Sequence, residues 1–259
     1  MSINHTFASD NTAGICPEAI AAINAVNEGH TTSYGEDELT TQAKRAIQEV
    51  FETECEVFFV GSGTVANALS LSALARNYQS ILCHDAAHLN TDEGGAVEFF
   101  TGGAKVISLP GTPDAKLLPE EIEDTMSRIH GVNVHSPKPA VLSLTQATEF
   151  GTVYSTNEIQ ALSETARRHR LALHMDGARF ANATAALGAS DLSPADITWR
   201  AGIDVLSFGG TKNGMQSTEA VVFFNRTHAQ DFECRVKQSG QLTSKLRFAA
   251  AQWLGMLSD

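Results

Sequence analysis

Along the chain, short apolar runs alternate with longer stretches in which apolar residues recur every three or four positions. Residues 36–53 place Leu39, Ala43, Ala46, Ile47, Val50 and Phe51 at the spacing of a helix that buries one face. The same reading predicts strands over 57–60, 80–83, 105–109, 140–144, 171–175, 205–208 and 220–224. It predicts helices over 64–76, 119–129, 158–169 and 178–187, with a further helical stretch from about His228. Ser155 and Thr156 ahead of Glu158, and Pro119 after an apolar pair, are helix-start signals. Parallel strands need crossovers, and crossover helices pack back on the sheet. The alternation therefore predicts an α/β fold with a mostly parallel central sheet and helices on both faces. No internal repeat or linker-like tract interrupts it, and the nearest break, PGTP at 110–113, reads as a surface loop. The 259 residues read as one domain.

Charge narrows the partners. With 18 Lys and Arg against 30 Asp and Glu the net charge is −12, which argues against nucleic acid or an anionic membrane surface. A phosphate-bearing ligand must then be held by local donors. The four cysteines, Cys16, Cys55, Cys83 and Cys234, show no CxxC pair and no zinc spacing, and read as reduced, mostly buried thiols of a cytoplasmic protein. The first residues, MSINHTFASDN, lack a basic stretch followed by an apolar one, so no secretory signal is expected. Apolar runs such as 220–224 are too short to span a bilayer.

Four segments carry candidate chemistry. In Phe59-Val60-Gly61-Ser62-Gly63-Thr64 a strand runs through glycines into a helix, whose first N–H groups can bind an anion. It lacks the third glycine of the dinucleotide fingerprint and the Gly-Lys of the P-loop, and read alone it is an ordinary strand–helix turn. Leu173-His174-Met175-Asp176-Gly177-Ala178-Arg179 ends a strand in a carboxylate, where α/β sheets hold ligands. That charge would keep a heteroaromatic nitrogen protonated, although a capping Asp with a surface Arg fits equally. Val205 to Gly214 carries a strand into Gly209-Gly210-Thr211-Lys212, and a partly desolvated lysine there is a nucleophile; a lone lysine is more simply a solvated one. Cys83-His84-Asp85-Ala86-Ala87-His88 follows a strand with two histidines, with Asp92 and Glu93 beyond. No second cluster completes a zinc site, and His84 reads as a surface residue. His88 is left for ring stacking or acid–base work.

Their order is more specific than any one of them. An anion cradle, a flat imidazole, a strand-end carboxylate and, 36 residues after it, a lysine are what a pyridoxal 5′-phosphate site requires. Together with FASDN at 7–11, YGED at 34–37, GSGT at 61–64, AAH ending in His88, HMDGAR at 174–179 and SFGGTKNG at 207–214, the chain resembles the low-specificity L-threonine aldolases, in the branch called phenylserine aldolase. The resemblance runs from Phe7 to the end. It implies the aspartate-aminotransferase-like fold of fold-type I pyridoxal-phosphate enzymes, with residues 1–259 forming the large domain. The activity implied is cleavage of threonine, allo-threonine or a related β-hydroxy-α-amino acid to glycine and an aldehyde.

Site roles follow from the same resemblance. Lys212 would bind the cofactor aldehyde covalently, Asp176 would face the pyridine nitrogen, and His88 would stack on the ring and serve as base. Gly63 and Thr64 would hold the phosphate, and Arg179 the ring oxygen or the substrate carboxylate. Ser9 and Tyr34 would contact substrate. Lys237 and Lys245 would reach the phosphate of a neighbouring subunit in a homodimer or homotetramer with shared sites. No metal is implied. Two departures stand out. Thr145-Gln146-Ala147-Thr148-Glu149 occupies the place of the family's Asn-Thr-His-Asn, so the substrate-side histidine is missing. Family chains also continue into a small C-terminal domain carrying an arginine, whereas this sequence stops at Asp259, implying either truncation or a protein without that clamp. A β-eliminating lyase, an aminotransferase or a decarboxylase of the same fold, or a non-catalytic pyridoxal-phosphate-binding subunit, are the alternatives.

Overall fold

Each of the seven apolar runs becomes a strand. The computed structural model describes residues 9–130, 134–188 and 191–258, so Phe7 and Ala8 of the FASDN motif lie outside the described residues. The strands are β1 (Glu56–Val60), β2 (Gln79–His84), β3 (Lys105–Leu109), β4 (Lys138–Thr145), β5 (Ala172–Gly177), β6 (Val205–Gly209) and β7 (Glu219–Phe223). They form one sheet in the order β1-β7-β6-β5-β4-β2-β3. β2–β3, β2–β4, β4–β5 and β5–β6 pair in parallel, and β7 runs antiparallel to both β1 and β6.

The helices are α1 (Pro17–Ala25), α2 (Glu38–Val50), α3 (Gly63–Leu74), α4 (His88–Thr91), α5 (Ala96–Thr101), α6 (Pro119–His130), α7 (Thr156–Arg168), α8 (Phe180–Leu187), α9 (Phe232–Gln238) and α10 (Arg247–Leu257). Their ends have local causes. Asp37 caps α2 by accepting from Thr40 N at 2.9 Å, and Ser155 with Glu158 forms a complete capping box at α7. The predicted helix over 178–187 starts late, at Phe180, because Asp176 holds the Ala178 N–H at 3.0 Å in a turn. The single stretch expected from His228 is split into a 3-10 turn, α9 and α10, with Gly240 at φ +77 allowing the break. Helices α1, α4 and α5 went unread. Glycines in left-handed conformation bracket α5 at both ends.

Period-two alternation sends successive strand residues to opposite faces of the sheet, where three apolar clusters form. Leu142 and Leu144 of β4, Leu173 and Met175 of β5, and Leu206 and Phe208 of β6 join a core with Ile47 and Phe51 near α2, Leu162 of α7 and Trp253 of α10. Val205, Val221 and Phe223 face the other side, with Ala66 and Leu69 of α3 and Phe232 of α9. β1 lies at one edge of the sheet and β2 near the other, so α3 must cross between them. It contacts β4, β5, β6 and β7 on the way.

His174 shares this second face. Its ring is fully buried and lies between Ser143 Oγ at 2.9 Å and Ser207 Oγ at 3.1 Å, joining three strands. Burial lowers its pKa to about 4. The unfolded chain therefore binds a proton at this residue, between its ordinary value of 6.5 and about 4, that the folded chain does not. Stability is expected to fall as pH drops through that window, by at most about 3 kcal/mol from this residue. Urea unfolding at pH 4.5 and 7 checks this: His174→Gln should flatten the pH dependence, and an unchanged slope would place the acid sensitivity elsewhere.

Candidate active site

All the candidate segments meet at one edge of the sheet, where the parallel strands end. β1 runs into Gly61-Ser62-Gly63, β4 ends at Thr145, β5 at Asp176 and Gly177, and β6 leads through Gly209 to Lys212. β7 is reversed, so its first residue, Glu219, lies at the same edge, opposite Gly209 and Val60. A cavity of about 320 Å³ opens there, and Gly63, Thr64, His88, Asp176, Arg179 and Lys212 line it. A second cavity of about 250 Å³ sits at the opposite edge beside Arg167, Trp199 and Asp204. The Asp204 carboxylate there is already taken by Leu173 N at 2.8 Å and Asn225 Nδ2 at 3.1 Å. The first cavity is the candidate active site.

Each group in it is held from behind. Asp176 is buried, and its two carboxylate oxygens accept from Ala178 N at 3.0 Å and from Asn67 Nδ2 of α3 at 2.8 Å. Lys212 sits in a 3-10 turn pinned by Asn213, whose Nδ2 donates to Gly209 O at 2.7 Å and Ala178 O at 3.2 Å. Glu219 Oε2 accepts from Gly210 N at 2.7 Å on the other side of the turn. Gly209 is required here: a Cβ on it would overlap the Ala178 backbone, so the Lys212 and Asp176 turns approach this closely only over a glycine. Among the described residues the Lys212 amine has no hydrogen bond or ion pair.

At the start of α3, Ser62 caps the helix by accepting from Val65 N at 3.4 Å, and Gly61 N donates to Gln241 Oε1 at 2.9 Å. The N–H groups of Gly63 and Thr64 come before the helix's own hydrogen bonding starts and lie on the cavity. His88 opens α4, and its backbone N–H donates to Glu149 Oε1 at 2.8 Å. Thr145 Oγ1 donates to the same oxygen at 3.0 Å. The half-exposed His88 ring pairs through Nδ1 with Glu93 Oε1 at 3.0 Å. That hydrogen bond raises the imidazole's pKa, while burial raises that of the Glu93 carboxyl. Burial likewise raises Glu149 and Glu219.

The expected substrate-side residues are placed differently. Arg179 reaches the cavity with its guanidinium already paired to Asp10, at 2.7 and 3.1 Å. Burial would raise the Asp10 carboxyl, but Arg179 holds it below its ordinary value. Ser9 Oγ accepts from Asn11 N at 3.2 Å, and Asn11, rather than Ser9, lines the cavity. Tyr34 is exposed, with Lys237 Nζ 4.5 Å from its ring centre; Lys245 is exposed, and none of these three lines this chain's cavity. His84 corrects the sequence reading. It is buried rather than on the surface, because its Nδ1 accepts from Ala86 N at 3.0 Å and its Nε2 lies 3.3 Å from Thr112 O, bracing the loop around Gly111. Sequence reasoning missed Asn67, Glu149 and Glu219 altogether, and considered Glu93 only as a metal ligand. The one visible signal was Asn67, the only amide in a helix of otherwise apolar, glycine and hydroxyl residues.

The donor set suits pyridoxal phosphate. It offers free helix-start N–H groups for a dianion, a buried and doubly anchored carboxylate for a ring nitrogen, and an amine without a partner beside them. Comparison with known proteins agrees. The chain is 53% identical over 258 residues to the low-specificity L-threonine aldolase of Pseudomonas aeruginosa, covering 99% of this chain and 73% of that one. The threonine aldolase of Leishmania major superposes with a TM-score of 0.89 at 30% identity, over 99% of this chain and 73% of the other. Cystalysin from Treponema denticola shares the fold alone, with a TM-score of 0.66 at 12% identity over 93% of this chain and 61% of the other. A family model described as beta-eliminating lyase matches residues 6–259, and the chain belongs to that family, among relatives that include low-specificity L-threonine aldolases.

Proposed function

We propose that the protein is a pyridoxal-phosphate-dependent aldolase that cleaves threonine, allo-threonine or a related β-hydroxy-α-amino acid to glycine and an aldehyde. One observation carries the reading: Lys212, Asp176, His88 and the start of α3 line a single cavity. Bound there, pyridoxal phosphate would supply an electron-accepting ring conjugated to the substrate Cα. The Gly63 and Thr64 N–H groups would hold its phosphate, and the Lys212 amine would anchor its aldehyde. Asp176, fixed by Asn67 and Ala178, would keep a proton on the ring nitrogen. Arg179 and Asn11 lie where they can orient the substrate carboxylate. His88 takes the β-hydroxyl proton at Nε2 while Nδ1 stays on Glu93. Lys237, Lys245 and Tyr34 lie off this chain's cavity, and their expected role at the site requires an assembly of at least two subunits. Cys55 and Cys83, buried thiols with pKa values pushed up to about 12, suit a reducing cytoplasm.

Purified protein incubated with threonine and pyridoxal phosphate is expected to release glycine and acetaldehyde in equal amounts. A 2-oxo acid with ammonia in their place would transfer the reading to β-elimination. Lys212→Ala should leave no pyridoxal fixed to the protein after borohydride reduction and peptide mapping, and label retained on another lysine would refute the assignment. Asp176→Ala should cut kcat by two or more orders of magnitude, on the order of the effect of removing a preorganised charge. A merely structural carboxylate would instead show its main loss in thermal stability. A base whose ring donates a hydrogen bond to a Glu93 oxygen and lies near the Asp176 charge, and whose pKa is raised from its ordinary 6.5, stays protonated to higher pH. The acid limb of kcat/KM is therefore expected to rise with a midpoint above 6.5, and to vanish in His88→Asn.

A further inference from the structure

Behind the cavity wall, a chain of hydrogen bonds joins the carboxylate meant for the ring nitrogen to the imidazole meant for the ring face. Asn67 Nδ2 donates to Asp176 Oδ2 and to Glu93 Oε1, both at 2.8 Å, and His88 Nδ1 meets the same Glu93 oxygen at 3.0 Å. Two carboxyl groups from distant parts of the chain thus share one amide nitrogen, in a place where the Glu93 side chain is wholly shielded from solvent.

Among the described residues, two polar atoms of this network are buried without a hydrogen-bond partner: Glu93 Oε2 and Asn67 Oδ1. They belong to the two side chains that already meet through Nδ2 and Oε1. An ionised carboxylate and an amide oxygen are both acceptors, so neither can satisfy the other. A single proton on Oε2 changes this. It makes Glu93 a donor to Asn67 Oδ1 and closes a two-bond ring between amide and acid, leaving both groups satisfied. The ring also resolves the repulsion that two buried negative charges on one amide would suffer.

We propose that Glu93 is a positioning residue that works as a neutral carboxylic acid, paired face to face with the Asn67 amide, so that Asp176 alone carries the negative charge behind the cofactor ring. The second Asn67 N–H is then fixed in direction toward Asp176. Glu93 Oε1 remains the acceptor that orients His88. Of the charged and titratable groups around it, Glu149 and Lys212 lie across the same cavity, His88 on α4 favours a charge on Glu93, and Asp176 on β5 opposes it. Burial of the Glu93 carboxyl pushes in the same direction, as its raised pKa reflects. The inference deepens the pyridoxal-phosphate reading of the cavity and rests on it for its purpose, although the protonation of Glu93 can be measured independently.

The test is infrared spectroscopy of the full chain loaded with pyridoxal phosphate, at pH 7. Wild-type protein is expected to show a protonated-carboxyl C=O band that Glu93→Gln lacks. Glu93→Gln should also keep the thermal midpoint and the cofactor's visible spectrum, since its amide N–H donates where the acid proton did. Glu93→Leu forms neither bond, and should lower the midpoint by roughly 5 °C and change the pH dependence of that spectrum. A band unchanged in Glu93→Gln would overturn the proposal. So would a Glu93→Gln protein as disturbed in midpoint and spectrum as Glu93→Leu. Wild-type protein that takes up no cofactor would overturn the reading of the cavity instead, and the band comparison on that same protein would still decide the state of Glu93.

Discussion

The organisation of the site depends on one amide in a helix that crosses the sheet. Asn67 sits on α3 about one turn from its N-terminus, and its Nδ2 holds Asp176 at the tip of β5. β1 and β2 lie far apart in the sheet, so the helix between them must pass over β5 and β6. That crossing sets one helix to two tasks. Its first residues line the cavity, and its fifth, Asn67, reaches the Asp176 carboxylate. The phosphate and the ring nitrogen of a bound cofactor would then be indexed to the same rigid element.

Charge in the cavity is arranged against the charge of the whole molecule. The chain carries a net −12, and Asp176, Glu93, Glu149 and Glu219 all lie on the cavity. An anionic ligand gains nothing from that field. What recognises it is local: helix-start N–H groups and a lysine. Arg179 adds little free positive charge, because Asp10 already pairs with it. Burial pushes Glu93, Glu149 and Glu219 toward their neutral forms, which reduces the negative charge the lysine and the anion must share. These three carboxyls also have mechanical tasks. Glu149 holds the His88 backbone, Glu93 holds its ring, and Glu219 holds the turn that carries Lys212.

Support from below is aromatic. Phe208 packs against Phe51, Phe180 and Trp253 with ring centres 4.9–5.6 Å apart, directly beneath the glycine turn that ends β6. Trp253 is buried and donates through Nε1 to Thr218 Oγ1 at 3.0 Å, tying α10 to the start of β7. Packing of this density leaves few alternatives for the Lys212 turn. The position of the Lys212 amine is thus decided partly by rings that do not line the cavity.

Local periodicity was enough to determine the seven strands and the long helices, because apolar alternation and helix-start chemistry act within a few residues. Asp176, Lys212 and the Gly63–Thr64 turn stand at strand ends beside glycine, and His88 four residues beyond the end of β2, but each was ambiguous alone and only their order along the chain singled them out. Short helices such as α4 have too few residues for a period to show. The burial of His84 depends on Thr112, 28 residues away, and no local pattern records it. Asn67, Glu93, Glu149 and Glu219 gain their roles from residues up to 109 positions distant, through contacts that exist only once a reversed β7 and a crossing α3 bring those strand ends together. The reacting groups are written in single segments of the chain, whereas the groups that orient and neutralise them are chosen by the tertiary fold, because a hydrogen bond between distant residues has no signature in either residue alone.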